Sequence, residues 1–217
     1  MDFFAVVDSL RAIRRFRSEP VPDALIVRIL AAASRAPSAR GAEPWWFVVV
    51  RDPQRRAAIS ERYRRAWETG QDMTMRADAD RDISTSPHYA RMMQAAAHLA
   101  SDLAEAPVLI VCCLDHRLLG PIAGPEGLRS PVAAYASVFP AVQNLLLAAR
   151  ALGIGSTLTT LHTLFGPELK TLLDIPPSVE VVAIVPLGYP RDRFGPTRRK
   201  PVEAIAFRDR WGVPFTA

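Results

Sequence analysis

Arginine is the residue type in this chain with the most capacity for chemistry. Of its 27 basic residues only Lys170 and Lys200 are lysines. A guanidinium is always charged, and its planar fork matches phosphate or carboxylate with two hydrogen bonds. The arginines cluster at Arg11/Arg14/Arg15/Arg17, Arg55/Arg56, Arg62/Arg64/Arg65 and Arg191/Arg193/Arg198/Arg199, with Lys200 beside the last. The second and third groups sit among Asp52, Glu61 and Glu68 and read as a solvated helix face. The first and last have fewer acidic neighbours and lie at opposite ends of the chain.

Other reactive groups are sparse. His88, His98, His116 and His162 are scattered, and no Cys/His spacing forms a zinc pattern, so no metal is expected. Cys112 and Cys113 are neighbours in PVLIVCCLD, where adjacent strand residues point to opposite faces; they read as two small buried residues. Gly153-Ile154-Gly155 invites a dinucleotide reading, but Leu158 stands where the third glycine belongs and the pair follows a helix instead of opening one. No Walker A motif, GxSxG elbow or carboxylate pair is present. So few acids, bases and nucleophiles leave either no catalysis or a borrowed reactive group, whose phosphate the arginines would hold.

The elements that must position these residues follow from periodicity. The chain has 217 residues, 49% of them hydrophobic and 23% charged, with a formal charge of +5. That length and composition support a packed core. Helices are expected over 2–12, from 23 to before Pro37, over 52–67, 89–103 and 134–152, and over 167–173. Strands are expected over 46–50, 108–114, 157–161 and 180–188. Helices interleaved with strands favour an α+β or α/β domain. The polar stretch 68–88 reads as a loop, a mobile surface or a lid and pocket wall, and 121–131 as a second, Gly/Pro-rich loop. The helix over 134–152 has an apolar stripe of Val138, Val142, Leu145, Leu146 and Ala149, and Phe139, Leu147 and Ala148 make its other side apolar too. It should be deeply buried. No apolar run reads as long enough to span a bilayer and no leader peptide is recognised, so the expected location is the cytoplasm.

Four segments, in order, resemble the nitroreductase family. They are LRAIRRFRSEPV at 10–21, APSARGAEPWWF at 36–47, AVQNLLLAARALGIGSTLTTLH at 141–162 and LGYPRDRFGPTRRKP at 187–201. The resemblance implies an α+β nitroreductase-like fold over 1–217, with a central mixed sheet flanked by helices and an intertwined homodimer. It implies an FMN cofactor and NAD(P)H as co-substrate. Arg11, Ala12, Arg14 and Arg15 then fall at the cofactor, and Arg199, with Arg198 beside it, falls at the phosphate. Pro37, Ser38 and Ala39 match the segment that reaches FMN across the dimer interface. Leu158, Thr159, Thr160 and Leu161 match the strand against the flavin ring, its backbone N–H groups facing N5.

Departures from the family pattern matter as well. Leu10 and Ala12 replace a common arginine and serine, shifting phosphate binding toward Arg11 and the C-terminal arginines. The flavin-fragmenting relatives that make dimethylbenzimidazole carry an aspartate where this chain has Ala12. The deiodinating relatives need a lid that 68–88 does not display. Gly41 and Glu43 replace asparagine and glutamine, and a charge at Glu43 calls for a partner such as Arg40 or for a raised pKa. The expected activity is hydride transfer from NAD(P)H through flavin to a small organic oxidant in ping-pong order, with no side chain as an obligate acid or base. The rival readings are a flavin-storage or sensor protein and a basic nucleic-acid-binding module. The latter lacks any helix-turn-helix, RNP or zinc-finger pattern, and neither nucleic acid nor membrane is an expected partner.

Overall fold

The structure is a computed structural model. It describes residues 1–79, 87–119 and 132–215, without the side chains of 71–79 and 87–88. The expected loop at 121–131 lies outside the described residues.

Four strands form the sheet: β1 (Trp45–Val50), β2 (Val108–Asp115), β3 (Gly155–Ser156) and β4 (Val179–Gly188), in the order β1-β2-β4-β3. The helices are α1 (Phe3–Ser9), α2 (Asp23–Ala33), α3 (Pro53–Ala79), α4 (Pro87–Asp102), α5 (Val132–Ala151) and α6 (Gly166–Leu172). The α+β class with helices flanking a sheet is as expected. Every pairing among the described strands is antiparallel, so the expected mixed sheet is corrected. The connections account for this. The excursion through α3 and α4 returns the chain to the end of the sheet it left, so that Val50 lies opposite Leu109.

Strand β2 is buried along its whole length. Its alternate residues Val108, Ile110, Cys112 and Leu114 join the core made with α2 and α5. Leu109, Val111 and Cys113 join the core made with α3 and α4. Each such side chain contributes about 1.5–3 kcal/mol relative to exposure. The two cysteines therefore face opposite sides, and burial raises the pKa of both thiols. A bulge sits between them, where Cys112 pairs with Ala183 but Cys113 with Val181, so that Val182 and Ala183 serve the same core.

By length and composition α5 could cross a membrane, contrary to the sequence expectation. In this fold it is a core helix: Val138, Ala141, Val142, Leu145 and Ala149 are fully covered, largely by α2 and the sheet. It is not buried all round, since Phe139 is exposed and Leu146 and Leu147 are half-covered. Helix α3 continues through 68–79, where a loop was expected. Arg64 bonds Glu68 one turn ahead at 2.7 Å, and helix-favouring Gln, Met, Arg and Ala follow. Residues 80–86 of the expected loop lie outside the described residues.

Helix α1 is shorter than expected. Asp2 caps it by accepting from Phe4 N at 3.0 Å and Ala5 N at 3.2 Å. The chain turns extended at Leu10 and crosses the sheet end. There Ile13 N donates to Ser156 O (2.9 Å), Arg17 N to Tyr189 O (2.8 Å) and Arg191 N to Arg15 O (3.0 Å). Ile13 and Phe16 are buried by this crossing. Backbone partners from distant strands replace the helical ones, a tertiary override of local propensity.

The crossing is tight. A Cβ on Gly155 would meet Ile13 Cγ2 at 2.8 Å, and one on Gly188 would meet Pro107 Cδ at 2.7 Å. Gly155→Ala should therefore destabilise the fold by about 1–3 kcal/mol. Gly195→Ala, whose Cβ meets nothing within 4 Å, should change stability by under about 0.5 kcal/mol. Urea midpoints of the two variants check this; equal midpoints would contradict the packing at the crossing.

Candidate functional site

Two clefts flank the crossing segment and share its residues Arg11 and Ala12. The first encloses about 650 Å³, within the roughly 300–1,000 Å³ typical of small-molecule sites. Its apolar wall is Leu146 and Leu147 of α5 with Leu158. The C-terminal segment closes it with Pro196, Thr197 and Arg199. Arg11 and Arg199, distant in sequence, thus meet on one cavity. Asp8 is the one carboxylate among the described lining residues, and it forms no ion pair with either. The Arg199 guanidinium reaches only the Arg198 carbonyl, at 2.9 Å. Ser156 also lines this cleft, and its Oγ is buried with no hydrogen-bond partner.

The second cleft, about 590 Å³, contains Arg14 and Arg15 with Arg91, His98, Asp192 and Arg193. Arg15 was expected at the cofactor beside Arg11. The segment is extended, and Arg15 lies 3.7 Å from Asp192. Arg14 is half-buried, and burial lowers its pKa; Tyr63 opposes that shift and the Arg11 charge adds to it. Arg198 is exposed and lines neither cleft.

The expected strand over 157–161 is corrected: β3 ends at Ser156. Thr159 forms only an isolated bridge, its N–H bonding Ile184 O at 3.0 Å, and a 3-10 turn begins at Leu161. One register position later the Leu161 N–H is taken by Thr159 Oγ1 at 3.4 Å. Among the described residues the N–H groups of Leu158 and Thr160 have no acceptor. The Thr159 hydroxyl is held by Tyr63 OH at 2.8 Å, and burial raises the Tyr63 pKa.

Pro37, Ser38 and Ala39 line neither cleft. They form the turn before β1. Ser38 Oγ accepts from Glu43 N at 3.0 Å, and Ala39 N donates to Ser137 Oγ on α5 at 3.1 Å. Glu43 does not pair with Arg40, which donates to Leu119 O at 3.2 Å. Glu43 is exposed, at a φ of 45°, so its charge meets water where a buried turn was expected.

Sequence reasoning did not single out Gln143 or Ser156. Both lie inside the 141–162 segment. The signal for Gln143 was its place four residues before Leu147, on the face of α5 that the core leaves open. Ser156 carried no signal beyond following Gly155, because its burial depends on the crossing segment.

Comparisons with known proteins agree with this architecture. The profile described as Nitroreductase family matches residues 8–189. The chain is 31% identical over 208 residues to an NADH dehydrogenase of Thermus thermophilus, covering 90% of each protein. It is 30% identical over 187 residues to a 5,6-dimethylbenzimidazole synthase of Rhodospirillum rubrum, covering 84% of this chain and 79% of that one. A solved nitroreductase with bound FMN from Desulfitobacterium hafniense DCB-2 shares the fold with a TM-score of 0.67 at 20% identity, over 92% of this chain and 95% of that one.

His162, next to Leu161, gives a pH signature. Its Nε2 lies 2.7 Å from Val181 O, and its Nδ1 is buried without a partner. Burial lowers its pKa against the opposing pull of the Val181 carbonyl, so the folded protein binds that proton less readily than the unfolded chain. The unfolded chain then binds the extra proton below the ordinary value of about 6.5, and stability is lost as pH falls through that region. For one group the slope cannot exceed about 1.4 kcal/mol per pH unit. Urea midpoints between neutral pH and mild acid check it, and His162→Gln should flatten the profile; an unchanged slope in that variant would assign the effect elsewhere.

Proposed function

The chain belongs to the nitroreductase family, and from that membership we propose that it is a cytoplasmic, homodimeric, FMN-dependent oxidoreductase using NAD(P)H and a small organic oxidant. One observation carries the reading: Arg11 and Arg199 converge on a cavity whose other wall is apolar. The residues fit the cofactor on three counts. Two guanidiniums without a carboxylate partner suit a phosphate. Leu146, Leu147 and Leu158 offer a surface for a flat ring. The orphaned Ser156 Oγ and the free Leu158 N–H supply hydrogen-bonding capacity at the wall. A buried polar atom without a partner is costly, so a bound ligand relieves it.

The chemistry that bound FMN supplies is two-electron transfer from NAD(P)H to an acceptor such as a nitroaromatic, quinone or activated alkene, in ping-pong order. The chain's own residues do the rest. Arg11 and Arg199 hold the phosphate. Leu158 would lie against the ring, while Thr159, Thr160 and Leu161 line neither cleft. The leucines of the wall exclude water, which strengthens every hydrogen bond within. No histidine is among the described residues of this cleft, so protons come from solvent. The activity named for the R. rubrum relative does not transfer, since Ala12 places no carboxylate at the ring.

The Pro37, Ser38 and Ala39 turn lies outside its own chain's cleft, and Phe139, Leu146 and Leu147 leave one face of α5 partly open. A two-fold pairing of that face would bury it and bring the turn of one copy to the cleft of the other, with about two FMN per dimer.

Two tests follow. The purified protein should carry FMN and be bleached by NAD(P)H without oxygen, and Arg11→Ala or Arg199→Ala should each weaken FMN binding about 10- to 100-fold. A protein that takes up no flavin on reconstitution, or variants with unchanged FMN affinity, would overturn the assignment. Phe139→Glu should lower both dimer mass and FMN content. A monomer by light scattering that retains stoichiometric FMN would refute the shared site.

A further inference from the structure

The second cleft has a charge imbalance of which the proposed flavin site uses only Arg11. Arg11, Arg14, Arg15, Arg91 and Arg193 line it against the single carboxylate of Asp192, which Arg15 approaches. Among the described residues Arg11, Arg14, Arg91 and Arg193 have no carboxylate partner. The neighbouring Arg191, by contrast, pairs with Glu105 at 3.5 Å. Arg14 is half-buried, and a guanidinium withdrawn from water without an anion is destabilising. The cations come from three separate places: the crossing segment, α4 and the C-terminal segment. On α4, Arg91 shares one helix face with Gln94, Ala95 and His98. Such convergence from distant parts of the chain is what a binding site requires and a solvated basic helix face does not.

Among the described residues of this cleft none is a counterpart to Leu146, Leu147 and Leu158. The cleft suits a compact dianion. It is also joined to the first cleft through Arg11 and Ala12. A ligand reacting at the first cleft can therefore extend a charged group into the second.

We propose that this arginine cleft binds the phosphate monoester of the reductant and selects NADPH over NADH. The inference rests on the proposed oxidoreductase reading. The two reductants differ by that one phosphate, and several guanidinium forks discriminate it by charge-assisted bonds. The preference should weaken with salt, because four of the five arginines are exposed.

The test uses the FMN-loaded protein with Arg91→Gln, Arg193→Gln and the double variant. Neither residue belongs to the proposed flavin site. Calorimetric titration with 2′-phospho-ADP-ribose and with ADP-ribose should show the phosphorylated probe binding about tenfold more tightly or better to the unaltered protein. The double variant should lose that difference. Its KM for NADPH should rise correspondingly, while its KM and kcat with NADH, its FMN content and its circular dichroism stay unchanged. Equal affinity of the unaltered protein for both probes overturns the proposal. So does loss of FMN from the variants, which would assign the cleft to the flavin itself. A colourless protein that still separates the two probes upholds the cleft's assignment and overturns the flavin reading alone.

Discussion

Three backbone hydrogen bonds hold the N-terminal segment across the end of the sheet: Ile13 N to Ser156 O, Arg17 N to Tyr189 O and Arg191 N to Arg15 O. The sequence pattern would have carried α1 on to Ala12, where the chain is already extended. A helix there would have given up these backbone bonds to the sheet and the cover they bring to Ile13 and Phe16. The extended crossing buries both apolar residues and leaves the arginines at the rims of two cavities. It also buries Ser156, and Gly155 and Gly188 are the residues whose missing side chains let it lie so close. Packing and site construction are here the same event.

The electrostatics follow from that placement. On the surface of α3, arginines are neutralised by neighbours, as in the Arg64 contacts with Glu61 and Glu68. Such exposed pairs contribute little. Around the crossing Arg11, Arg14, Arg193 and Arg199 have no carboxylate partner among the described residues, and they converge from both ends of the chain. An apolar wall beside one pair suits a molecule with a ring and a phosphate, and the wall's absence beside the other group suits a phosphate alone. The chain supplies binding and orientation, which is the division of labour expected where a cofactor does the chemistry.

Much of the scaffold was legible because its period is strong. Strands β2 and β4 are near-continuous apolar runs, and the stripe of α5 repeats at helical spacing, so tertiary packing only ratified them. The boundaries that failed are those decided by distant partners. The end of α1 depends on Ser156, Tyr189 and Arg191. The 157–161 segment holds β-favouring threonines, yet it has one bridge to β4 and then turns at Leu161. The continuation of α3 was hidden by the polarity of 68–79, because polarity alone does not separate an exposed helix from a loop. Of the candidate residues, Arg11, Ala12, Leu158 and Arg199 gather on one cleft, Arg14 and Arg15 on the other side of the segment, and Pro37, Ser38 and Ala39 outside both. Spacing marked these residues through motif resemblance, but not which side of the crossing each would occupy.

A crystal structure of the protein with FMN bound tests the central claim most directly. The account predicts the phosphate within hydrogen-bond reach of both Arg11 and Arg199, and the ring against Leu158, with the N-terminal segment still crossing the sheet end as it does here. A flavin seated away from these residues, or held with its phosphate among Arg14, Arg91 and Arg193, would contradict it.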